Sequence, residues 1–210
     1  MVLCRFRDVA LVALHAAVGS QAVRVVRAST EATIRVWRAD PTTMAVSILT
    51  LPVYPVRRIV LGDWTLVIDE WLVARLKGLR SDRLPNETGG VLLGMYDLTR
   101  RTVYVVDTIP SPPDSKEWPT LYIRGSEGLS GRVTDLTQRT AGQLEYVGEW
   151  HSHPDRCSCD LSMDDLTVFT WLTDHLAVAG LPALMAIIGQ GDASRWFLGE
   201  MLRSEHTPKD

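Results

Sequence analysis

Apolar residues along this chain repeat with two different periods, and the switches between them outline the elements. Residues 8 to 26 carry Val9, Val12, Leu14, Ala16, Val18, Val23 and Val26 without alternation, which predicts a helix, and "ATIRVW" after them predicts a strand. Asp40-Pro41 breaks that pattern, and the two prolines of "LPVYPVRR" suit a linker or a sheet edge, so a domain boundary is expected near residue 55. Beyond it, "RRIVLGDWTLVID" reads as a strand or hairpin, and Ile68, Trp71, Leu72, Leu76 and Leu79 then recur at helical spacing. "RSDRLPNETGG" reads as a loop. The short apolar run "VLLGMY" and the segment "TVYVVDT" read as strands joined through "DLTRR". "PSPPDSKEWP" is proline-rich and predicts a long exposed loop.

Leu129, Val133, Leu136, Thr140 and Leu144 step by three or four, which predicts an amphipathic helix. A strand "EYVGEWHSH", a loop, a helix over residues 163 to 176 and two closing strands, "ALMAIIG" and "SRWFLGEM", complete the pattern. Strands and helices are mixed rather than strictly alternating, which favours an α+β fold over a doubly wound parallel sheet. With 210 residues, 46% of them hydrophobic, the chain can bury one sizeable core and carry a small appendage.

Charge narrows the partners. A net charge of −3, with basic and acidic residues mixed throughout, leaves no electrostatic footprint for nucleic acid. The apolar run over residues 9 to 18 is shorter than the roughly 20 residues a bilayer span needs. Asp8 and His15 also interrupt it as a secretion signal, so no membrane partner is expected. Cys4, Cys157 and Cys159 are few and odd in number, which points to a reducing, cytoplasmic setting.

The densest chemistry lies in "GEWHSHPDRCSCDLSMDD", residues 148 to 165. On an extended strand His151 and His153 project to one side and Trp150 and Ser152 to the other, so two imidazoles aim at one point. Imidazole is a good Zn²⁺ ligand, but a catalytic zinc commonly takes three protein ligands and keeps a fourth position for water. Asp164 and Asp165, in the first turn of the next helix, are the nearest candidates for the third. Ser162 with an acid three residues later also matches a helix cap that needs no metal. Glu149 shares the face of the histidines and competes for any role as a base there, against use as a supporting partner. Cys157 and Cys159, one residue apart, fall outside the usual spacing of structural zinc ligands and read as loop residues.

Taken together, "NETGGVLLG", "HSHP" and "SMDD" resemble the JAMM metalloprotease signature of the JAB/MPN domain family, a glutamate followed by H-[S/T]-H-P and S-x-x-D. The resemblance covers about residues 56 to 203 and looks like the prokaryotic branch. It implies a three-layer α+β domain with a mixed central sheet flanked by helices, preceded by a small α/β extension over residues 1 to 55 and followed by a tail from 204 to 210. The extension bears a faint similarity to the tail of an adenylating domain. One departure stands out: eight residues separate His153 from Ser162, against seven in the usual eukaryotic pattern. Strict counting then selects Asp164 as ligand, whereas the S-x-x-D register selects Asp165. The register is preferred, because loop length varies more easily than the position of a ligand within a helix.

By the same resemblance, one Zn²⁺ per chain is held by His151, His153 and Asp165, Glu87 is the general base, and Ser162 donates to the oxyanion. Such proteins typically cleave the bond after the C-terminal diglycine of a ubiquitin-like protein or its conjugate, and the prokaryotic branch accompanies adenylating and conjugating enzymes, some of them in antiphage systems. Two alternatives stay open: processing of a small sulfur-carrier protein, and a metal-free scaffold module. The stretch "SPPDSKEWPTLYIRGSEG" reads equally as part of a groove for an extended tail or as a solvated loop.

Overall fold

The computed structural model describes residues 34–39, 43, 45–51 and 54–200. The chain divides into two compact units between Val53 and Tyr54. In the first, β1 (Ile34–Ala39) pairs antiparallel with β2 (Val46–Leu51). The helix expected over residues 8 to 26 and the tail from residue 204 lie outside the described residues.

The second unit is built on a seven-stranded sheet. Its strands are β3 (Val56–Leu61), β4 (Trp64–Asp69), β5 (Gly89–Asp97), β6 (Thr102–Pro110), β9 (Glu145–Ser152), β10 (Ala183–Ile188) and β11 (Ser194–Gly199), in the order β11-β10-β9-β5-β6-β4-β3. The β4/β6 and β9/β10 pairs are parallel and the other four antiparallel, so the sheet is mixed. Gly62, at φ 61°, makes the tight turn of the β3–β4 hairpin. Three helices pack around the sheet: α1 (Glu70–Ser81), α2 (Leu129–Arg139) and α3 (Met163–Ala177).

Strand β5 shows why the domain has three layers. Successive strand residues point to opposite faces, and all of Val91, Leu92 and Leu93 are buried. Leu92 joins the larger core with Leu72, Val73 and Leu76 of α1. Val91 and Leu93 pack instead with Leu129, Val133 and Leu136 of α2. Leu172 and Leu176 of α3 lie with Ala183 on that second face, and Tyr146 touches both groups. This is the α+β fold with a mixed central sheet flanked by helices. Among the described residues no helix is long and apolar enough to cross a membrane.

Three expectations need correction. Ile68 belongs to β4, not to the following helix, because Asp69 is the N-cap: its Oδ1 accepts the Leu72 N–H at 2.8 Å and starts the helix at Glu70. Helix α2 stops at Arg139, before Thr140 and Leu144, since Ala141 (φ 52°) and Gly142 (φ 78°) turn the chain left-handed. The "PSPPDSKEWP" loop is partly ordered as β7 (Lys116–Trp118), which pairs with β8 (Leu121–Ile123) in a hairpin of its own.

Candidate metal centre

Strand β9 delivers the two histidines. It runs between β5 and β10, with His151 opposite Gly89 on one side and Ile187 on the other. His153 lies just past the strand end and continues the ladder, its N–H donating to the Ile188 carbonyl at 3.0 Å. Trp150 packs into the α1-side core. His151 and His153 therefore face the opposite side, toward the start of α3.

There His151 Nε2 lies 3.2 Å from His153 Nε2 and 3.0 Å from Asp165 Oδ1, and His153 Nε2 lies 3.6 Å from Asp165 Oδ2. Zinc–nitrogen bonds of about 2.0–2.1 Å at tetrahedral angles would set ligand atoms roughly 3.3 Å apart, so the three donors fit that ion. His153 Nδ1 sits 2.6 Å from the Ser158 carbonyl. An acceptor can only be met there by an N–H, which leaves the Nε2 lone pair directed at the shared point. Two imidazole nitrogens and a carboxylate converging in this way form a donor set suited to a metal cation.

Local structure explains how Asp165 arrives. Ser162 caps α3: its Oγ accepts the Asp165 N–H at 3.1 Å, while Asp165 Oδ2 accepts the Ser162 N–H at 2.8 Å. This reciprocal pair turns the Asp165 side chain back toward the strand end. Burial alone would raise the Asp165 pKa, but the imidazoles of His151 and His153 beside it outweigh burial and hold the carboxyl far below the usual range. Asp164, one residue earlier, is exposed at the cavity rim.

Glu87 reaches the same cluster from the segment before β5. Its N–H donates to the Trp118 carbonyl at 2.8 Å. The next residue, Thr88, is fixed twice to Ser152 and once, through its hydroxyl, to Glu117 Oε1 at 2.6 Å. Burial pushes the Glu87 carboxyl up, against the attraction of His151 and His153. Gly89 and Gly90 permit the close approach: a Cβ on Gly89 would stand 2.4 Å from the Trp150 carbonyl oxygen, and one on Gly90 2.2 Å from that of Ile109.

These groups line one end of a cavity of about 710 Å³, walled by the β7–β8 hairpin on one side and by α3 on the other. Glu149 lies on its floor but is engaged by Arg124 at 2.9 Å and by the Tyr146 hydroxyl at 2.8 Å, which fits a supporting partner better than a free base. Among the described residues, the group of side chains placed to hold a metal contains His151, His153 and Asp165 and neither cysteine. Cys157 is exposed on the cavity rim, and the Cys159 thiol packs near Gly189, where burial raises its pKa.

Sequence reasoning missed the residues that hold this arrangement in place. Arg80, buried at the end of α1, donates from Nε to the His153 carbonyl at 2.9 Å and from Nη2 to Asp155 at 2.5 Å. Ser152 was legible as a position facing away from His151 and His153, but nothing in the sequence signalled its tie to Thr88. Arg124 lies in a stretch with no periodicity to place it.

The model of prokaryotic homologues of the JAB domain matches residues 72–199, more than half of the chain. A protein from Enterobacter hormaechei subsp. hoffmannii, named CD-NTase/cGAS isopeptidase, is 35% identical over 113 residues, covering 54% of this chain and 61% of its own. Proteins of the same name from Escherichia coli and Vibrio cholerae are 28% and 35% identical, covering 68% and 45% of this chain and 86% and 60% of their own. The match thus spans less than two thirds of the Enterobacter and Vibrio relatives.

Proposed function

Because the chain belongs to the family of prokaryotic JAB-domain homologues, we propose that it is a zinc-dependent isopeptidase that cuts after the C-terminal diglycine of a ubiquitin-like protein. The observation that carries this reading is the convergence of His151 Nε2, His153 Nε2 and an Asp165 oxygen at tetrahedral spacing, beside a partly buried glutamate. The complete donor set speaks against a metal-free scaffold. The name shared by the relatives joins isopeptidase chemistry to CD-NTase/cGAS, so the conjugate cut here is one formed on a protein of that class.

His151, His153 and Asp165 would hold the ion, with His153 oriented by the Ser158 carbonyl and Asp165 by the Ser162 N–H. Zn²⁺ bound there supplies Lewis acidity, polarising a carbonyl and acidifying water. The Glu87 carboxylate takes a proton from the attacking water and returns it to the leaving amine nitrogen. A carboxyl raised by burial suits both halves of that transfer. Ser162 Oγ accepts the Asp165 N–H, which leaves its own O–H free to donate to the carbonyl oxygen as negative charge develops. The hairpin and α3 bound the cavity on either side and shield the reacting bond from bulk water.

Purified protein loaded with zinc should release a reporter fused behind a diglycine-ended carrier, lose that activity with chelator and regain it with added zinc. Intact fusion under all three conditions would overturn the reading. A carrier processed only as a linear fusion, and never as a side-chain conjugate, would point to the sulfur-carrier alternative.

A further inference from the structure

The cavity floor carries a charged pair that the proposed chemistry does not use. Glu149 is 7% exposed, and three donors crowd onto its Oε1: Arg124 Nε at 3.0 Å, Arg124 Nη2 at 2.9 Å and the Tyr146 hydroxyl at 2.8 Å. Among the described residues, none donates to Glu149 Oε2. Arginine and carboxylate usually pair through two parallel bonds that satisfy both oxygens, so this one-sided arrangement leaves a buried acceptor open. Arg124 is also incompletely used. Its Nη1 donates to the Gly125 carbonyl at 3.0 Å, and of the five N–H donors on a guanidinium two remain.

We propose that Arg124 and Glu149 form a subsite that grips one peptide group of an extended substrate chain, Glu149 Oε2 accepting its N–H and Arg124 donating to a carbonyl. The proposal rests on the reading of the neighbouring cluster as a peptidase centre. Three observations select a peptide group as the ligand. Both side chains line the cavity that holds His151 and His153. Glu149 precedes His151 by two residues on the same strand face, which sets it about 7 Å from the metal ligand, the length of two extended residues. The pair is neutral as a whole yet offers a donor and an acceptor side by side, the complement of an amide dipole. A single charged side chain would meet repulsion from one member of the pair as it met attraction from the other.

Desolvation gives the pair its selectivity. An open acceptor buried to this degree is costly unless a donor reaches it, and a chain lacking an N–H at that position leaves it unpaired. The walls beside it are apolar, with Leu121 and Ile123 on the hairpin and Val168 and Trp171 on α3. Specificity for the backbone, set by the floor, is therefore separable from contacts along the walls.

The test is a backbone N-methyl scan of a fluorescent hexapeptide ending in Gly-Gly, read as binding by anisotropy to the zinc-loaded Glu87→Gln protein. One methylated position should weaken binding by roughly ten- to a hundredfold. Adding Glu149→Gln, or the paired Arg124→Met/Glu149→Leu change that leaves no charge stranded, should weaken the unmethylated peptide similarly and abolish the penalty of that one methyl group. Thermal melts establish that each variant is folded. Additive losses, no methyl-sensitive position, or no binding of the hexapeptide would each overturn the subsite. Cleavage of the carrier fusion is measured separately, so a failed functional reading is told apart from a failed subsite.

Discussion

Ser152 and Thr88, 64 residues apart in sequence, exchange two hydrogen bonds: the Thr88 N–H donates to Ser152 Oγ at 3.0 Å and the Ser152 N–H to the Thr88 carbonyl at 2.7 Å. Both residues are buried. The residue between the two histidines thus fixes the segment that carries Glu87, so the proposed metal ligands and the proposed base share one support. Ser152→Ala should leave the Thr88 N–H unpaired and cost about 1–3 kcal/mol. Because Glu87 then loses its register, turnover should fall by about ten- to a hundredfold with zinc content unchanged. Metal analysis beside steady-state kinetics checks this, and equal losses of zinc and turnover would contradict it.

Glu87→Gln keeps the shape of the side chain and removes the proton acceptor. The protein should fold and bind zinc as before while turnover drops by roughly 10²- to 10⁴-fold. A variant within a few-fold of wild type would assign the proton transfer elsewhere. The hydrogen bonds that Arg124 and Tyr146 give Glu149 make it a poor substitute.

A metal that binds only the folded protein stabilises it by mass action. Zinc at about a hundred times its dissociation constant should add about 2.7 kcal/mol, a rise in Tm of roughly 5 to 10 °C for a unit of this size. The rise should vanish in His151→Ala and in His153→Ala, since either change leaves two protein ligands. A thermal scan with and without zinc measures it directly. An undiminished rise in either variant would place the metal outside this cluster.

What was legible in the sequence follows from distance along the chain. His151, His153 and Asp165 fall within one strand, loop and helix start, where side-chain alternation and capping rules apply without knowledge of the tertiary fold. Glu87 became visible only through resemblance to a family pattern, because no local rule links it to a strand so far downstream. Arg80 and Arg124 were illegible for a related reason: burial of a guanidinium depends on which carbonyl or carboxylate the fold brings to it. The β7–β8 strands are three residues each, too short for a period to show. The corrected helix boundaries at Ile68 and Thr140 share one cause. Spacing by three or four continues past a helix end by chance, whereas the Asp69 cap and the left-handed Ala141–Gly142 turn are what end it.

The extra loop residue between His153 and Ser162 makes Asp164 and Asp165 rival ligands, and the fold supplies a reason to choose. Adjacent helical residues point about 100° apart, so one metal cannot take both comfortably. Asp165 stands 3.0 Å from His151 Nε2 and is held there by its bond from the Ser162 N–H, whereas Asp164 is exposed at the rim. Arg156 turns the loop left-handed at φ 67°, upstream of the cap, and the reciprocal Ser162–Asp165 bonds set the helix register independently of the loop's length. Asp165→Asn should abolish tight zinc binding and activity, and should also weaken the cap by about 0.5–2 kcal/mol, visible in metal-free protein. Asp164→Asn should lose only its interaction with the helix dipole, about 0.3–1 kcal/mol, and bind zinc as wild type does. Paired zinc titrations of the two variants decide the matter. Tight binding by Asp165→Asn together with its loss in Asp164→Asn would mean that the ligand follows the count from His153 and not the capping register of α3.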